Sequence, residues 1–290
     1  MNKYKALEIL VVMQIMKTLI IAILLVCSAC VMDSNNDEMD TVKIAMAQIF
    51  CVNSDTSGNF KRIEYAIEDA LKSGAELICF PETSLFGWVN PEAHKMASPI
   101  PGESTDRLAG LARKHEVYIC IGLCEKEGEK LYDSVILLDP QGTILLKHRK
   151  INILTELMDP PYTKGSGVQV VETEFGRIGL LVCADSFVPE LLDEMKKHKP
   201  DIMLIPYGWA NSIDKWPQHG ESLRKTIQNV AQKLDCPVIG TDALGKISHG
   251  PWSGLVFGGQ SYAIDYDGTV LARGRDRDRD IISLELKIRK

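Results

Sequence analysis

Short apolar segments alternate with longer helix-like segments along the chain from about residue 42 to its end. The short segments have strand length, and several of them stop at a glycine or a proline. They predict strands near 42–50, 75–80, 116–123, 131–139, 143–150, 168–172, 177–183, 201–206, 236–241, 260–265, 269–273 and 281–286. Helices are predicted near 57–73, 104–115, 187–198 and 214–234, with Ser104 as an N-cap and Gly74 as a helix stop. This alternation is typical of a layered α/β fold.

Composition narrows the class of protein. The chain has 290 residues, of which 45% are hydrophobic, and this is enough for one large core in one or two domains. Its 33 basic and 39 acidic residues give a net charge of −6, which does not favour nucleic-acid binding. The sequence has no internal repeat and no zinc-type spacing of cysteines and histidines. We therefore expect no nucleic-acid partner and no metal site.

Cys183 stands where a buried strand is expected to end. It follows the apolar run 178–182 and precedes the polar turn 184–186, after which comes Pro189-Glu190. A residue on such a strand–turn–helix junction presents its side chain to open space. That position suits a nucleophile, and a thiol is a strong nucleophile once it is deprotonated. The alternative is a small buried hydrophobic residue, which is what most free cysteines are.

Two charged residues also stand at predicted strand ends. Glu82 directly follows Pro81, which cannot continue a central strand. Lys150 ends the second strand of a predicted hairpin. In strand alternation His148 and Lys150 share one face, so this pair can point inward while its neighbours stay in water. Taken singly, a glutamate or lysine of this kind is more often a solvated surface residue.

In this chain order, Glu82, Lys150 and Cys183 resemble the triad of the nitrilase superfamily of carbon–nitrogen hydrolases. The matching motifs are Phe80-Pro81-Glu82, His148-Arg149-Lys150 and the elbow Gly179-Leu180-Leu181-Val182-Cys183-Ala184-Asp185. Ala45-Met46-Ala47-Gln48 is similar to the first strand of the family, and the segment 259–272 is similar to its closing hairpin. Because the resemblance is collinear, residues 42–290 are identified as a carbon–nitrogen hydrolase domain.

The resemblance implies both a fold and a mechanism. The fold is a four-layer α-β-β-α sandwich, which commonly pairs into homodimers or larger homo-oligomers. Glu82 would take the proton from Cys183, and Lys150 would stabilise the thiolate and the oxyanion. The backbone N–H of Ala184 would be a second oxyanion donor. The substrate would be a small-molecule amide, and the mechanism needs neither a metal nor an organic cofactor.

The family also has a second glutamate between the lysine and the cysteine, which orients the lysine and the substrate. Glu156 is the best match, because it precedes Tyr162-Thr163-Lys164-Gly165, which resembles the family's aromatic-x-Pro-Gly turn. Asp159 competes for the same role.

Departures from the family pattern bear on the substrate. Ala184-Asp185 stands where true nitrilases usually have tryptophan and glutamate, so the resemblance favours the amidase-like and N-carbamoylase-like branch. Many amidases continue with Arg-Phe-Pro-Glu, whereas this chain has Phe187-Val188-Pro189-Glu190. A contact that is typical of the family is therefore missing, and the identity of the substrate stays open.

Aromatic and polar residues in loops after strands are candidates for the walls of a pocket. Trp209 is predicted to bind substrate together with Ala184. Phe86, Trp88, Tyr207 and Asn211 are equally well explained as packing residues. His148 is the only histidine expected near the site, and a single histidine without a partner indicates a structural or exposed imidazole.

The amino terminus is predicted to lie outside the fold. The apolar run 18–26 follows Lys17 and is followed by small residues, so residues 1–29 are predicted to be a signal peptide. Met16 is an alternative start. An uncleaved anchor helix over residues 10–26 is the other interpretation.

Ser28-Ala29-Cys30 resembles a bacterial lipobox, with Cys30 as the lipidated residue. Residues 30–41 would then be a flexible tether. The prediction is an exported protein, either a lipoprotein of the cell envelope or a periplasmic enzyme. Its contact with the membrane would be made only through the lipid anchor.

The sequence thus predicts an amidase that cleaves an amide or N-carbamoyl bond of a small molecule through a thioester on Cys183. Two alternatives stay open. One is an acyltransferase, in which an amine or a lipid intercepts the thioester. The other is a non-catalytic binding lipoprotein on the same scaffold, which the intact set of Glu82, Lys150 and Cys183 argues against.

Overall fold

The computed structural model describes Met13, Gln14 and residues 41–289. Apart from Met13 and Gln14, the predicted signal peptide lies outside the described residues, as do the alternative start at Met16 and the predicted lipidation site Cys30. The predicted tether also lies outside them, apart from Thr41, which is the first residue of a strand. No helix among the described residues is both long and apolar enough to cross a membrane.

Fifteen strands and five helices are described from residue 41 onward. The strands are β1 (Thr41–Gln48), β2 (Leu77–Cys79), β3 (Tyr118–Glu127), β4 (Lys130–Leu138), β5 (Ile144–Arg149), β6 (Val170–Thr173), β7 (Gly176–Leu180), β8 (Ile202–Tyr207), β9 (Ala210–Asn211), β10 (Val238–Asp242), β11 (Leu244–Lys246), β12 (Val256–Gly258), β13 (Tyr262–Ile264), β14 (Val270–Arg273) and β15 (Asp280–Lys287). The helices are α1 (Thr56–Leu71), α2 (Ala93–Met96), α3 (Glu103–His115), α4 (Pro189–Lys197) and α5 (Gly220–Leu234). Single 3₁₀ turns occupy Thr155–Leu157, Cys183–Phe187 and Ile213–Lys215.

Two six-stranded sheets form the centre of the fold. The first has the strand order β15-β1-β2-β3-β4-β5 and the second has the order β14-β13-β10-β8-β7-β6. Strands β1, β2 and β3 are parallel to one another, as are β7, β8 and β10. The remaining pairs in both sheets are antiparallel. Strands β11, β12 and β9 form a small third sheet.

The side chains of β1 show how the layers are stacked. Ile44 and Met46 belong to the apolar core between the two sheets, which continues through the second sheet to α4 and α5. Ala45 and Ala47 point to the opposite face and pack with apolar residues of α1 and α3. This two-residue alternation buries both faces of the strand. The predicted four-layer α-β-β-α sandwich is therefore confirmed.

Several predicted boundaries are corrected by the structure. Ser104 is not an N-cap, because α3 begins at Glu103 and the Thr105 hydroxyl bonds with the backbone of Gly102 instead. The helix predicted from residue 214 begins at Gly220, since Pro217 has no N–H to donate inside a helix. Gly74 does follow the end of α1, with a φ of +75° that suits a glycine.

Gln48 is a fully buried polar residue that joins the end of β1 to loops on the other sheet. Its amide nitrogen donates to the carbonyls of Arg275 at 2.7 Å and Asp278 at 2.8 Å. Its amide oxygen accepts from the backbone N–H of Ser261 at 2.9 Å and from the Ser261 hydroxyl at 3.1 Å. The side chain thus satisfies the buried N–H and hydroxyl of Ser261 and two partly buried carbonyls at once.

We expect Gln48→Leu to lower the free energy of unfolding by about 3 kcal/mol, because the buried N–H and hydroxyl of Ser261 lose their acceptor without regaining water. The measurement is urea unfolding followed by circular dichroism. Gln232→Leu is the matched control, since Gln232 is exposed and makes one hydrogen bond, to the carbonyl of Asp267. Its effect should stay below about 0.5 kcal/mol. Equal effects of the two substitutions would contradict the role given to Gln48.

Candidate active site

Cys183 occupies a sharp elbow after β7. The strand ends at Leu180, and Cys183 opens the 3₁₀ turn Cys183–Phe187 with a φ of +39°, which is unusual for a residue that is not glycine. The Ser186 hydroxyl donates to the carbonyl of Cys183 at 2.6 Å and holds the turn closed. Such backbone strain costs on the order of 1–3 kcal/mol and is concentrated at functional sites.

Glu82 lies in the loop after β2, in contact with both sheets. Its backbone N–H donates to the carbonyl of Tyr207 at the end of β8, at 3.3 Å. The same loop packs directly on β3 at Gly122, where an added Cβ would lie 2.6 Å from the Glu82 Cα. A glycine is therefore required in this strand for the loop to approach so closely.

Lys150 follows β5 and is bound to two buried carboxyl groups. Its ammonium contacts Glu82 Oε1, and it lies 3.2 Å from Asp133 Oδ2. The backbone N–H of Lys150 also donates to the carbonyl of Asp133 at 2.8 Å. All three side chains are at most 3% exposed. Two carboxyl groups therefore share one cation in a site with little water.

Burial and charge shift the pKa values of this cluster. Burial alone would lower the pKa of Lys150, but the charges of Glu82 and Asp133 raise it well above its ordinary value, so the ammonium stays charged. The pKa of Asp133 is raised by its burial and by the neighbouring charge of Glu82, with Lys150 acting in the opposite direction.

The thiol of Cys183 is protonated at neutral pH. Its pKa is raised by burial and by the charge of Glu82, while Lys150 and the backbone N–H of Gly208 lower it by a smaller amount. An attack by this sulfur therefore needs a base. Glu82 Oε2 has no hydrogen-bond partner among the described residues. It lies next to Gly208, where an added Cβ would be 3.0 Å from it.

Asp185 fastens the elbow to the segment that carries Lys150. Its carboxylate accepts from the backbone N–H groups of Ile151 at 2.9 Å and Asn152 at 2.7 Å, and from the ring of His148 at 2.8 Å. Burial by itself raises the pKa of Asp185, but the hydrogen bonds from His148 and from the backbone N–H of Asn152 bring about a net lowering. His148 is thus a buried structural residue that helps to fix Lys150 relative to Cys183.

Cys183 opens into a cavity of about 330 Å³. The predicted substrate-binding residues Ala184 and Trp209 both line it, as do Trp88 and Asn211. The other residues that line it are Lys150, Leu154, Phe187, Gly208, Ala210, His219, Trp252 and Leu255. Of the described residues predicted for the pocket, Phe86 and Tyr207 are instead buried in the packing around it.

The structure leaves both candidates for the second carboxylate away from the ammonium of Lys150. Glu156 and Asp159 are both exposed, and neither contacts Lys150. Asp133 takes the place beside the ammonium because the antiparallel pairing of β4 with β5 sets Ser134 opposite Arg149 and so brings Asp133 next to Lys150. The hairpin was visible in the sequence, and its register contained the signal that identifies Asp133.

His219 is a second correction, because His148 was expected to be the only histidine near the site. The ring of His219 stacks on Trp209 with centroids 5.8 Å apart, and it lines the cavity. Nothing in the local sequence marks it, since it reaches the cavity from the loop before α5.

Comparison with known proteins agrees with this geometry. The profile of the carbon–nitrogen hydrolase family matches residues 43–289. The chain is 32% identical over 282 residues to Nitrilase 3 of Arabidopsis thaliana, an alignment that covers 87% of this chain and 80% of that protein. It is 29% identical over 248 residues to an (R)-stereoselective amidase of Pseudomonas sp., with coverage of 84% and 85%.

A solved structure of a mutant amidase from Nesterenkonia sp. has the same fold, with a TM-score of 0.73 at 21% identity, over 85% of this chain and 90% of that one. That structure shows covalent addition of the acetamide moiety of fluoroacetamide at the active-site cysteine. Since the family profile spans nearly the whole described domain, this chain belongs to the carbon–nitrogen hydrolase family of the nitrilase superfamily.

Proposed function

We propose that this protein hydrolyses the carbon–nitrogen bond of a small amide or N-carbamoyl compound through a thioester on Cys183. The observation that carries the proposal is that Cys183 and Lys150 line one cavity and that Lys150 binds Glu82, which has a carboxylate oxygen left unpaired among the described residues. A protonated thiol, a free base and a fixed cation are the three groups that acyl transfer to sulfur needs.

The first half-reaction forms the thioester. Glu82 Oε2 accepts the thiol proton of Cys183 as the sulfur bonds to the carbonyl carbon of the substrate. The electron pair of the carbonyl moves onto its oxygen, where the Lys150 ammonium and the backbone N–H of Ala184 stabilise the negative charge. Glu82 then returns the proton to the nitrogen, the carbon–nitrogen bond breaks, and the amine leaves.

The second half-reaction releases the acid. Glu82 takes a proton from a water molecule whose oxygen attacks the thioester carbon, and the carbon–sulfur bond breaks. The sulfur regains its proton from Glu82, so the enzyme returns to its starting state. Each step uses only side chains of the site and one water molecule.

Nitrile hydrolysis is a second candidate, because the chain is 32% identical to a protein named as a nitrilase. The relative named as an amidase covers a similar share of the chain at 29% identity. We favour amides, since Ala184-Asp185 follows the nucleophile in place of the tryptophan and glutamate that are usual in nitrilases. A substrate panel that contains both classes decides between them.

Export, lipidation of Cys30 and assembly into a homodimer or larger homo-oligomer are further proposals about the whole protein. Mass spectrometry of the amino-terminal peptide from cells tests the first two. Light scattering of residues 42–290 tests the third.

We expect Cys183→Ala to reduce ammonia release from simple amides by at least about 10³-fold, because no other group can form the thioester. Glu82→Gln should reduce it by about 10²-fold or more, since an amide cannot accept the thiol proton. The measurement is ammonia release from a panel of carboxamides, N-carbamoyl amino acids and nitriles. Cys236→Ala is the matched control, because Cys236 is also a buried free cysteine but does not line the cavity.

Loss of activity in the Cys236 variant to the same extent would contradict the assignment of Cys183. Release of ammonia from nitriles alone would replace the amide by the nitrile as substrate. Absence of turnover across the panel would favour the acyltransferase or the binding protein.

Substitutions of Asp133 test separately how the charge of this carboxyl group affects the activity. Burial and the charge of Glu82 raise the pKa of Asp133 well above its ordinary value, so this carboxyl group keeps its proton to higher pH than it would in water. We expect Asp133→Asn, which has the shape of the protonated acid and keeps an oxygen for Lys150, to retain kcat/KM within about threefold at neutral pH. Asp133→Leu should lose at least about tenfold, because the ammonium loses a hydrogen-bond acceptor.

The dependence of activity on pH tests whether ionisation of Asp133 lowers the activity. Above its raised pKa, Asp133 ionises and adds a negative charge near Cys183, so the wild-type activity should fall on the alkaline side. The Asp133→Asn variant has no proton to lose at this position and should keep its activity to higher pH. If the asparagine and leucine variants were equally impaired, an ionised carboxylate would be required instead.

A further inference from the structure

The cavity at Cys183 is walled almost entirely by apolar side chains. Those that line it are Trp88, Leu154, Phe187, Trp209, Trp252 and Leu255. Trp88 and Trp252 lie with ring centroids 5.7 Å apart, and Phe187 meets Trp209 edge-on at 5.5 Å. Its volume of about 330 Å³ is at the lower end of the range for small-molecule sites.

The polar atoms of Trp209 and Asn211 in the walls are already used within the protein. The indole N–H of Trp209 donates to the Ser222 hydroxyl at 3.0 Å. The side-chain nitrogen of Asn211 contacts the ring of His219 at 3.1 Å, and its oxygen accepts from the backbone N–H of Ser212 at 2.8 Å. A ligand beside Trp209, Asn211 and His219 therefore meets groups whose hydrogen bonds are already made within the protein.

No free positive charge faces the cavity among the described residues. Burial lowers the pKa of His219, so its imidazole is neutral at neutral pH. Lys150 is the one other basic residue of the lining, and its charge is bound by Glu82 and Asp133. A carboxylate on the substrate would lose its water and gain no counter-ion, which is strongly unfavourable.

We infer that the substrate is an amide whose acyl group is uncharged and apolar, of the size of a phenyl ring or a short alkyl chain. This inference rests on the proposed function. It narrows that function to neutral carboxamides and sets N-carbamoyl amino acids aside, because these carry a carboxylate close to the reacting carbonyl.

A matched pair of substrates tests the inference. Hexanamide and adipamic acid have the same chain length and differ only in a terminal methyl group against a terminal carboxylate. We expect kcat/KM to be on the order of 100-fold higher for hexanamide. A value for adipamic acid equal to or above that for hexanamide would overturn the inference.

Phe187→Arg tests the same inference by adding a positive charge at the cavity. Phe187 is 48% exposed at the edge of the cavity, so an arginine there can reach both the ligand and water. The preference for hexanamide should fall by about tenfold or more. Tyr65→Arg is the matched control: it adds the same charge at an aromatic residue that is 61% exposed and does not line the cavity. An unchanged preference in Phe187→Arg, or an equal change in both variants, would count against the inference.

Binding to the Cys183→Ala variant separates this inference from the proposed function. Isothermal titration calorimetry with the same two compounds needs no turnover. Tighter binding of hexanamide supports the apolar pocket even if neither amide is hydrolysed, in which case only the proposed function fails. Tighter binding of adipamic acid overturns the pocket inference whatever the activity.

Discussion

The contact of one ammonium with two buried carboxyl groups is the interaction on which the rest of the site depends. Lys150, Glu82 and Asp133 come from three different segments of the first sheet, and each is almost fully buried. Removal of one partner from a buried ion pair typically costs about 3–5 kcal/mol, because the other charge is left without compensation. The cluster therefore holds the loop after β2 against the hairpin β4–β5, and the same contact keeps the base next to the cation.

Close packing of the backbone fixes the positions of the residues in this cluster. Gly122 allows the Glu82 loop to lie directly on β3, and Asp185 ties the elbow of Cys183 to the residues that follow Lys150. Neither residue contacts a reacting atom in the mechanism that we propose. They fix the distances between the residues of the site. The surrounding structure must also hold Cys183 at its strained φ.

The sequence predicted the residues that stand at strand ends and failed where position depends on pairing between distant segments. Glu82 and Cys183 each follow an apolar run and Lys150 ends a predicted hairpin, so the position of each at a strand end could be predicted from the local sequence. Asp133 is placed by the register of a hairpin, and a one-residue slip would turn it to the other face. Glu156 was chosen by its position along the chain, which contains no information on burial, and the structure leaves it exposed.

Fold prediction failed for a similar reason. The long strands of both sheets were found from their apolar runs, whereas β9, β11 and β12 have only two or three residues each and no detectable period. These short strands nevertheless shape the site, since Ala210 and Asn211 of β9 line the cavity. Their pairing is decided by the surrounding fold rather than by local propensity.

The hydrogen bond from the Glu82 N–H to the carbonyl of Tyr207 joins the two sheets at the centre of the site. In the mechanism that we propose, the base and the cation belong to one sheet, while the nucleophile follows a strand of the other. The site is therefore formed only when the two sheets are packed together. Opening of the sandwich by a few ångströms would separate the sulfur from its base even if every strand and helix stayed intact, so activity reports the docking of the two sheets rather than their formation.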